Sequence, residues 1–126
     1  MRRMRAISIR QPWAEEILIG DKKFEYRKTA CRILNERVYI YASPKVEKKE
    51  RERFEKLGMK PGDLPTKVLV GTIEFESCTG SYRNYKWKIK NPKRMENYRK
   101  PFGKPQPIWF YPQIKFSIAS NISKSA

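Results

Sequence analysis

The sequence predicts a single α+β domain, and three stretches carry that expectation. Ile7 to Arg27 reads as strand, helix, tight turn and strand within one short unit. Arg37 to Ala42 and Lys67 to Glu76 read as two further strands, the second the strongest in the chain. A length of 126 residues allows one hydrophobic core rather than two. The domain is expected over residues 1–112, with 113–126 as a C-terminal extension.

The first strand is read over Arg5 to Arg10. At Gln11-Pro12 a helix begins, because proline suits the first helical position, where its missing donor costs nothing. Glu15 and Glu16 then sit at the positive end of the helix dipole. Trp13, Ala14, Ile17 and Leu18 form one apolar face at three- and four-residue spacing. Gly20 is the expected left-handed terminator. In Lys23 to Arg27, Phe24 and Tyr26 share one face, while Lys23, Glu25 and Arg27 share the other. The charged set is either a solvated ladder or the wall of a cleft, and Lys22, beside the turn, can reach either environment.

The Arg37 to Ala42 strand has Val38, Ile40 and Ala42 on one face and Tyr39 and Tyr41 on the other, so cover is expected on both sides. Ser43-Pro44 predicts a helix from about Lys45 to Leu57, with Ser43 as N-cap and Gly58 as stop. Its apolar stripe is thin, and charges at four-residue spacing mark it as an outer helix. Within Lys67 to Glu76, Gly71 predicts a bulge, a bend or a close backbone approach, as a sheet curving into a barrel requires. Asn91-Pro92 predicts a break, followed by a short helix over Pro92 to Tyr98. A last short strand is read over Ile108 to Tyr111. Lys115 to Ile118 is read as a possible edge extension and Ser120 onward as frayed.

Charge narrows the partners. With 29 basic and 13 acidic residues, the formal charge is +16, which concentrates polyanions around the protein. The excess is uneven. Ser81 to Lys104 holds nine basic residues and one acidic residue, interleaved with Tyr82, Tyr85, Trp87, Tyr98 and Phe102. Cations neutralise phosphates and rings stack on unpaired bases, so this composition fits RNA. The other reading makes these aromatics core or rim anchors of a basic protein. The absence of histidine excludes imidazole acid–base catalysis, and with Cys31 and Cys78 as the only cysteines no conventional structural zinc site is expected. A carboxylate magnesium site stays open, and no cofactor is indicated. The two cysteines lie far apart with no CxxC pair, so reduced thiols are expected. The N-terminus lacks the apolar run of a signal peptide, and no window is long enough to span a membrane; a cytoplasmic protein is expected. For catalysis, Lys22 is the candidate base or nucleophile, Glu25 its orienter or proton shuttle, Arg27 the anion holder and Glu74 a second carboxylate across the sheet.

With those residues in view, the chain resembles the ASCH family, within the PUA-like superfamily. The match is Ser8-Ile-Arg-Gln-Pro-Trp-Ala14, then Ile17-Leu18-Ile19-Gly20 and Lys22-Lys23-Phe24-Glu25-Tyr26-Arg27, with the strands at Val38 to Ser43 and Val70 to Phe75 in the expected order. The resemblance covers about Met4 to Tyr111. It implies a five- or six-stranded, largely antiparallel β-barrel with two or three flanking helices around an open cleft. It also implies RNA binding, in transcription- or translation-related settings. Gln11, Pro12 and Trp13 would wall the cleft, Trp13 being equally a core residue or a stacking platform, and Lys22, Glu25 and Arg27 would line it. Arg10, Arg83, Tyr85, Lys86, Lys88, Arg94 and Arg99 complete the expected nucleic-acid contacts. Some bacterial ASCH proteins are amidohydrolases that deacetylate N4-acetylcytidine with a lysine, a threonine and a glutamate. Lys22 matches that lysine, but Glu25 stands where the threonine would be, and a carboxylate lacks the neutral hydroxyl donor. A third reading is an interaction module for an acidic protein partner, acting as a monomer or weak dimer.

Overall fold

The computed structural model describes residues 3–114. It contains β1 (Ala6–Gln11), α1 (Trp13–Leu18), β2 (Phe24–Arg27), β3 (Val38–Val46), α2 (Arg51–Leu57), β4 (Val68–Ser81), β5 (Asn84–Arg99) and β6 (Trp109–Phe110), with one 3-10 turn at Pro61–Asp63. The six strands form one mixed sheet in the order β2-β5-β4-β3-β1-β6. Only β1 and β3 run parallel; the other pairings are antiparallel.

The strand–helix–turn–strand unit forms as expected. Pro12 is the N-cap of α1, and the Gln11 side chain before it accepts the Glu15 backbone N–H at 3.0 Å, satisfying one free amide of the first turn. Gly20 ends the helix in a left-handed conformation, φ 87°, and the Asp21 and Lys22 amides close on the Glu16 carbonyl at 2.9 and 3.0 Å. Helix α1 lies on the sheet at Gly71. A Cβ there would stand 2.4 Å from Leu18 Cδ2 and 2.5 Å from the Lys93 carbonyl oxygen, so the glycine serves close approach, beside shifts of register on both flanking pairings.

The core gathers Ile7, Ile9, Ile17, Val38, Ile40, Val70, Ile73, Phe75 and Trp87. Trp87 is fully buried, stacks on Trp109 at 6.2 Å, meets Phe75 edge-on at 5.2 Å and donates its indole N–H to the Thr29 carbonyl at 2.9 Å. A second cluster, Ala6, Tyr41, Leu69 and Phe110, fills the other side of β3, as the two apolar faces of that strand predict.

Three expectations are corrected. The sheet does not close into a barrel: β2 and β6 are its two edges. Between β2 and β1 a side chain stands in place of a strand ladder, because the Arg27 guanidinium donates to the Ser8 carbonyl at 2.9 Å. The flanking α-helices number two among the described residues, within the two or three expected. The helix expected from Lys45 begins only at Arg51, and Ser43 caps nothing. Strand β3 runs on through Pro44 to Val46, where Val46 pairs with Gln11 and the Glu47 amide donates to the Gln11 carbonyl. The helix expected over Pro92 to Tyr98 is strand β5. Asn91, at φ 52°, and Pro92 sit at an irregularity in the β4–β5 register, the place in a sheet where proline is tolerated. The expectations for Lys115 to Ile118 and Ser120 onward lie outside the described residues.

Cys31 and Cys78 are neighbours with free thiols. The Cys31 amide donates to the Cys78 sulfur at 3.2 Å, and burial pushes the Cys31 thiol up to about 11. No helix among the described residues is long and apolar enough to cross a membrane.

Candidate functional site

The gap between β1 and β2 opens into a cleft of about 1070 Å³. Its walls come from β1 (Ser8, Arg10), α1 (Trp13), the turn and β2 (Lys22, Glu25 to Arg27), β3 (Tyr41, Ser43) and α2 (Arg53). An extended proline-bearing segment, 100–107, forms the far side. It is held by Ser8, whose hydroxyl donates to the Gln106 carbonyl at 2.6 Å and whose amide donates to the Ile108 carbonyl at 3.0 Å. Arg10, Lys22, Arg27, Lys45, Arg53, Lys67, Lys100 and Lys104 face two acidic residues, Glu25 and Glu50, around the lining. A cavity with that balance focuses a positive field inward.

Strand β2 turns its charged residues toward the protein. Glu25 lies opposite the buried Trp87 and is 5% exposed, whereas Tyr26 is 61% exposed. The solvated-ladder alternative is thereby removed for Glu25 and Arg27; Lys23 remains exposed. One Glu25 oxygen accepts the Arg27 Nε–H at 2.8 Å and meets a terminal guanidinium nitrogen at 2.7 Å. The other oxygen faces the Lys22 ammonium at 3.7 Å. Lys22 Nζ lies 5.8 Å from the centre of the Trp13 ring and 5.3 Å from that of Tyr26, within cation–π range of both. Burial pulls the Lys22 amine below its ordinary range, opposed by the attraction of Glu25. The cluster therefore presents one acceptor oxygen and one ammonium donor side by side, flanked by two rings.

The other expected residues separate. Arg10 reaches the rim and pairs with Glu47. Gln11 is fully buried and spends its side chain on the Pro65 carbonyl and the Glu15 amide, which is a folding task rather than a cleft wall. Glu74 binds Arg37 at 3.0 Å and accepts from Asn91, away from the cleft lining; the structure does not bring it to Lys22. Arg94 clasps Glu15 with two bonds, 2.6 and 3.0 Å. Tyr85 packs against the core. Arg83, Lys86, Lys88 and Arg99 are exposed along β5 and its hairpin tip. Arg99 borders a separate shallow groove with Lys93.

Sequence reasoning missed Ser8, Tyr26, Arg53 and the Lys100 and Lys104 segment as cleft residues. The alternation of lysine and proline from Lys100 to Pro107 was the available sign of an extended strap. Among the described residues, no group of three or more cysteine, aspartate and glutamate side chains gathers to hold a metal ion.

A family model described as the ASCH domain matches residues 7–115. Solved structures similar to this chain include the ASCH protein from Zymomonas mobilis, at 12% identity and TM-score 0.61, covering 98% of this chain and 96% of that one. A tyrosine-to-phenylalanine variant of it matches at 12% identity and TM-score 0.61, covering 98% of each chain. A serine-to-alanine variant matches at 14% identity and TM-score 0.58, covering 98% and 96%. At such identities the likeness establishes the fold. A search of curated proteins finds no match.

Proposed function

Because the chain belongs to the ASCH domain family, we propose that this protein binds RNA and seats a nucleotide in the cleft between β1 and β2. The observation that carries the reading is the cleft lining itself: eight cations against two carboxylates, with Lys22, Glu25, Trp13 and Tyr26 close together in it. The other cations neutralise phosphates. A base entering beside Lys22 meets two aromatic side chains, a donor in Lys22 and an acceptor in Glu25, and Arg27 holds that carboxylate in place.

Fluorescence anisotropy with labelled single-stranded and hairpin RNA tests this. Micromolar or tighter binding that weakens steeply with salt is expected. Very weak binding that is the same at low and physiological salt contradicts it.

A second reading, hydrolysis of an acylated cytidine amide, draws support from one feature. The Lys22 amine is desolvated and its pKa lowered, the condition under which a lysine acts as base or nucleophile. In this version Glu25 holds the amine and Glu74 takes no part. Release of cytidine from N4-acetylcytidine by the protein, and not by a Lys22→Ala variant, is the expected result. A full series of acylated cytidines left intact removes this reading. The acidic-partner alternative predicts a pull-down that survives nuclease treatment.

A further inference from the structure

The cleft does not end at β2. Tyr26 lines it, yet Tyr26 belongs by register to the opposite face of the strand from Glu25. In an antiparallel pair, residues directly opposite share a face, and β2 pairs Tyr26 with Lys86 and Phe24 with Lys88. Glu25 and Arg27, the inward residues, lie opposite Trp87 and Tyr85. The outer face of the β2–β5 ribbon therefore carries Phe24, Tyr26, Lys86 and Lys88 together. Lys86 Nζ sits 3.9 Å over the Phe24 ring. On β4 the same rows continue with Thr79 and Ser77, small polar side chains beside which Tyr26 and both lysines are exposed and Phe24 is half-buried. At the hairpin tip Tyr82 is 84% exposed, with Arg83 beside it.

Resting on the RNA-binding reading of the cleft, we propose that this outer face is a second RNA-contact surface, which takes the single strand as it leaves the cleft over Tyr26. Several features commit it to that occupant. Rings and cations alternate in space as successive bases and phosphates do on an unpaired strand. Lys86 and Lys88, two residues apart on one strand, are about 6.6 Å apart, which suits neighbouring phosphates of an extended chain. The surface is a ribbon face that meets, at Tyr26, the cleft of about 1070 Å³. A base pair would deny the rings their stacking partners, so the ligand is a single strand several nucleotides long rather than a duplex or a free nucleoside. Glu76 is ion-paired with Lys88 at 2.9 Å, both side chains being nearly half exposed; an incoming phosphate replaces it.

Anisotropy titrations with a dinucleotide, a tetranucleotide and an octanucleotide of one sequence test the proposal, with the blunt duplex of the octanucleotide alongside. Wild-type affinity is expected to rise at least tenfold from dinucleotide to octanucleotide. A Lys86→Glu, Lys88→Glu double variant should lose that increment, lower the salt slope by about 2 and leave dinucleotide binding unchanged. A Lys86→Gln, Lys88→Gln variant, with circular dichroism matching wild type, should show the same loss in smaller measure. Equal binding of all lengths, a double variant that holds the octanucleotide like wild type, or equal affinity for the duplex overturns the proposal while leaving the cleft reading intact. Displacement of the octanucleotide by polyglutamate as readily as by unlabelled RNA marks a generic polyanion surface and also overturns it. Failure of every length to bind the wild type overturns both.

Discussion

Glu15 and Glu25 are buried to nearly the same degree, 6% and 5% exposed, and each is gripped by an arginine, yet the two sites do different work. Glu15 takes both terminal nitrogens of Arg94 on its two oxygens. That fork spans 79 residues of sequence and fastens α1 to β5, and among the described residues no second cation pairs with the carboxylate. Glu25 receives Arg27 on one oxygen only, and its other oxygen faces Lys22 at 3.7 Å, longer than a hydrogen bond. The first site is saturated by its own fold. The second keeps an acceptor and a donor whose mutual contact is loose, in a cleft of opposite charge to RNA. A buried ion pair by itself thus says nothing about binding; the unspent bonding capacity does.

Variants on the fastening side should act on stability, and the largest effect is expected at Gly71. Gly71→Ala forces a methyl group against Leu18 and the Lys93 carbonyl, one of them backbone, and should cost roughly 3 kcal/mol in denaturant unfolding. Arg94→Ala strands the Glu15 carboxylate. The cost should be about 2 kcal/mol, under the range for a fully buried pair because Arg94 is 38% exposed. Its RNA affinity should stay within about threefold of wild type, as one surface phosphate contact at most is lost. An Arg94→Ala protein that unfolds at the wild-type midpoint, or that loses RNA binding while folded, would erase the distinction.

The cleft side should answer in the opposite way. Lys22→Ala is expected to change stability by less than about 1 kcal/mol, since burial already works against the charged amine. RNA affinity should fall about tenfold, a loss of about 1.4 kcal/mol. The smallest effect is one of pH. The folded-state pKa of Lys22 lies below the unfolded value, so the unfolded chain binds more protons in the window just under 10.5. Stability attributable to Lys22 therefore rises with pH across that window. Wild type should gain on Lys22→Ala as pH climbs toward 10.5, and a difference that shrinks instead would mean the amine is not desolvated.

How far the sequence disclosed these sites follows from the range of the interactions. Local pattern sufficed for β1, α1 and β2, where Pro12, Gly20 and the alternation of Lys23 to Arg27 all act within a turn or a strand. It did not show which face of β2 turns inward. Apolar pattern would bury Tyr26, but β2 is an edge strand beside a cleft, so Glu25 goes in and Tyr26 stays 61% exposed. Ser43-Pro44 suggested a helix from Lys45, whereas the chain there continues as strand through the non-local pairing of Gln11 with Val46. Arg94 reads like any other basic residue of its segment until its partner 79 residues away is known. The open edge at β2 was hidden for the same reason, since what reaches β1 there is a long-range side-chain contact from Arg27 to the Ser8 carbonyl.

Ultraviolet crosslinking of a single-stranded RNA to the wild-type protein, with the joined residues mapped by mass spectrometry, tests the cleft most directly. The account predicts crosslinks at Trp13 and Tyr26, lost when unlabelled RNA competes and reduced in Lys22→Ala. Crosslinks confined to exposed aromatics away from β2, such as Tyr98 and Tyr111, with Trp13 and Tyr26 untouched, would contradict it.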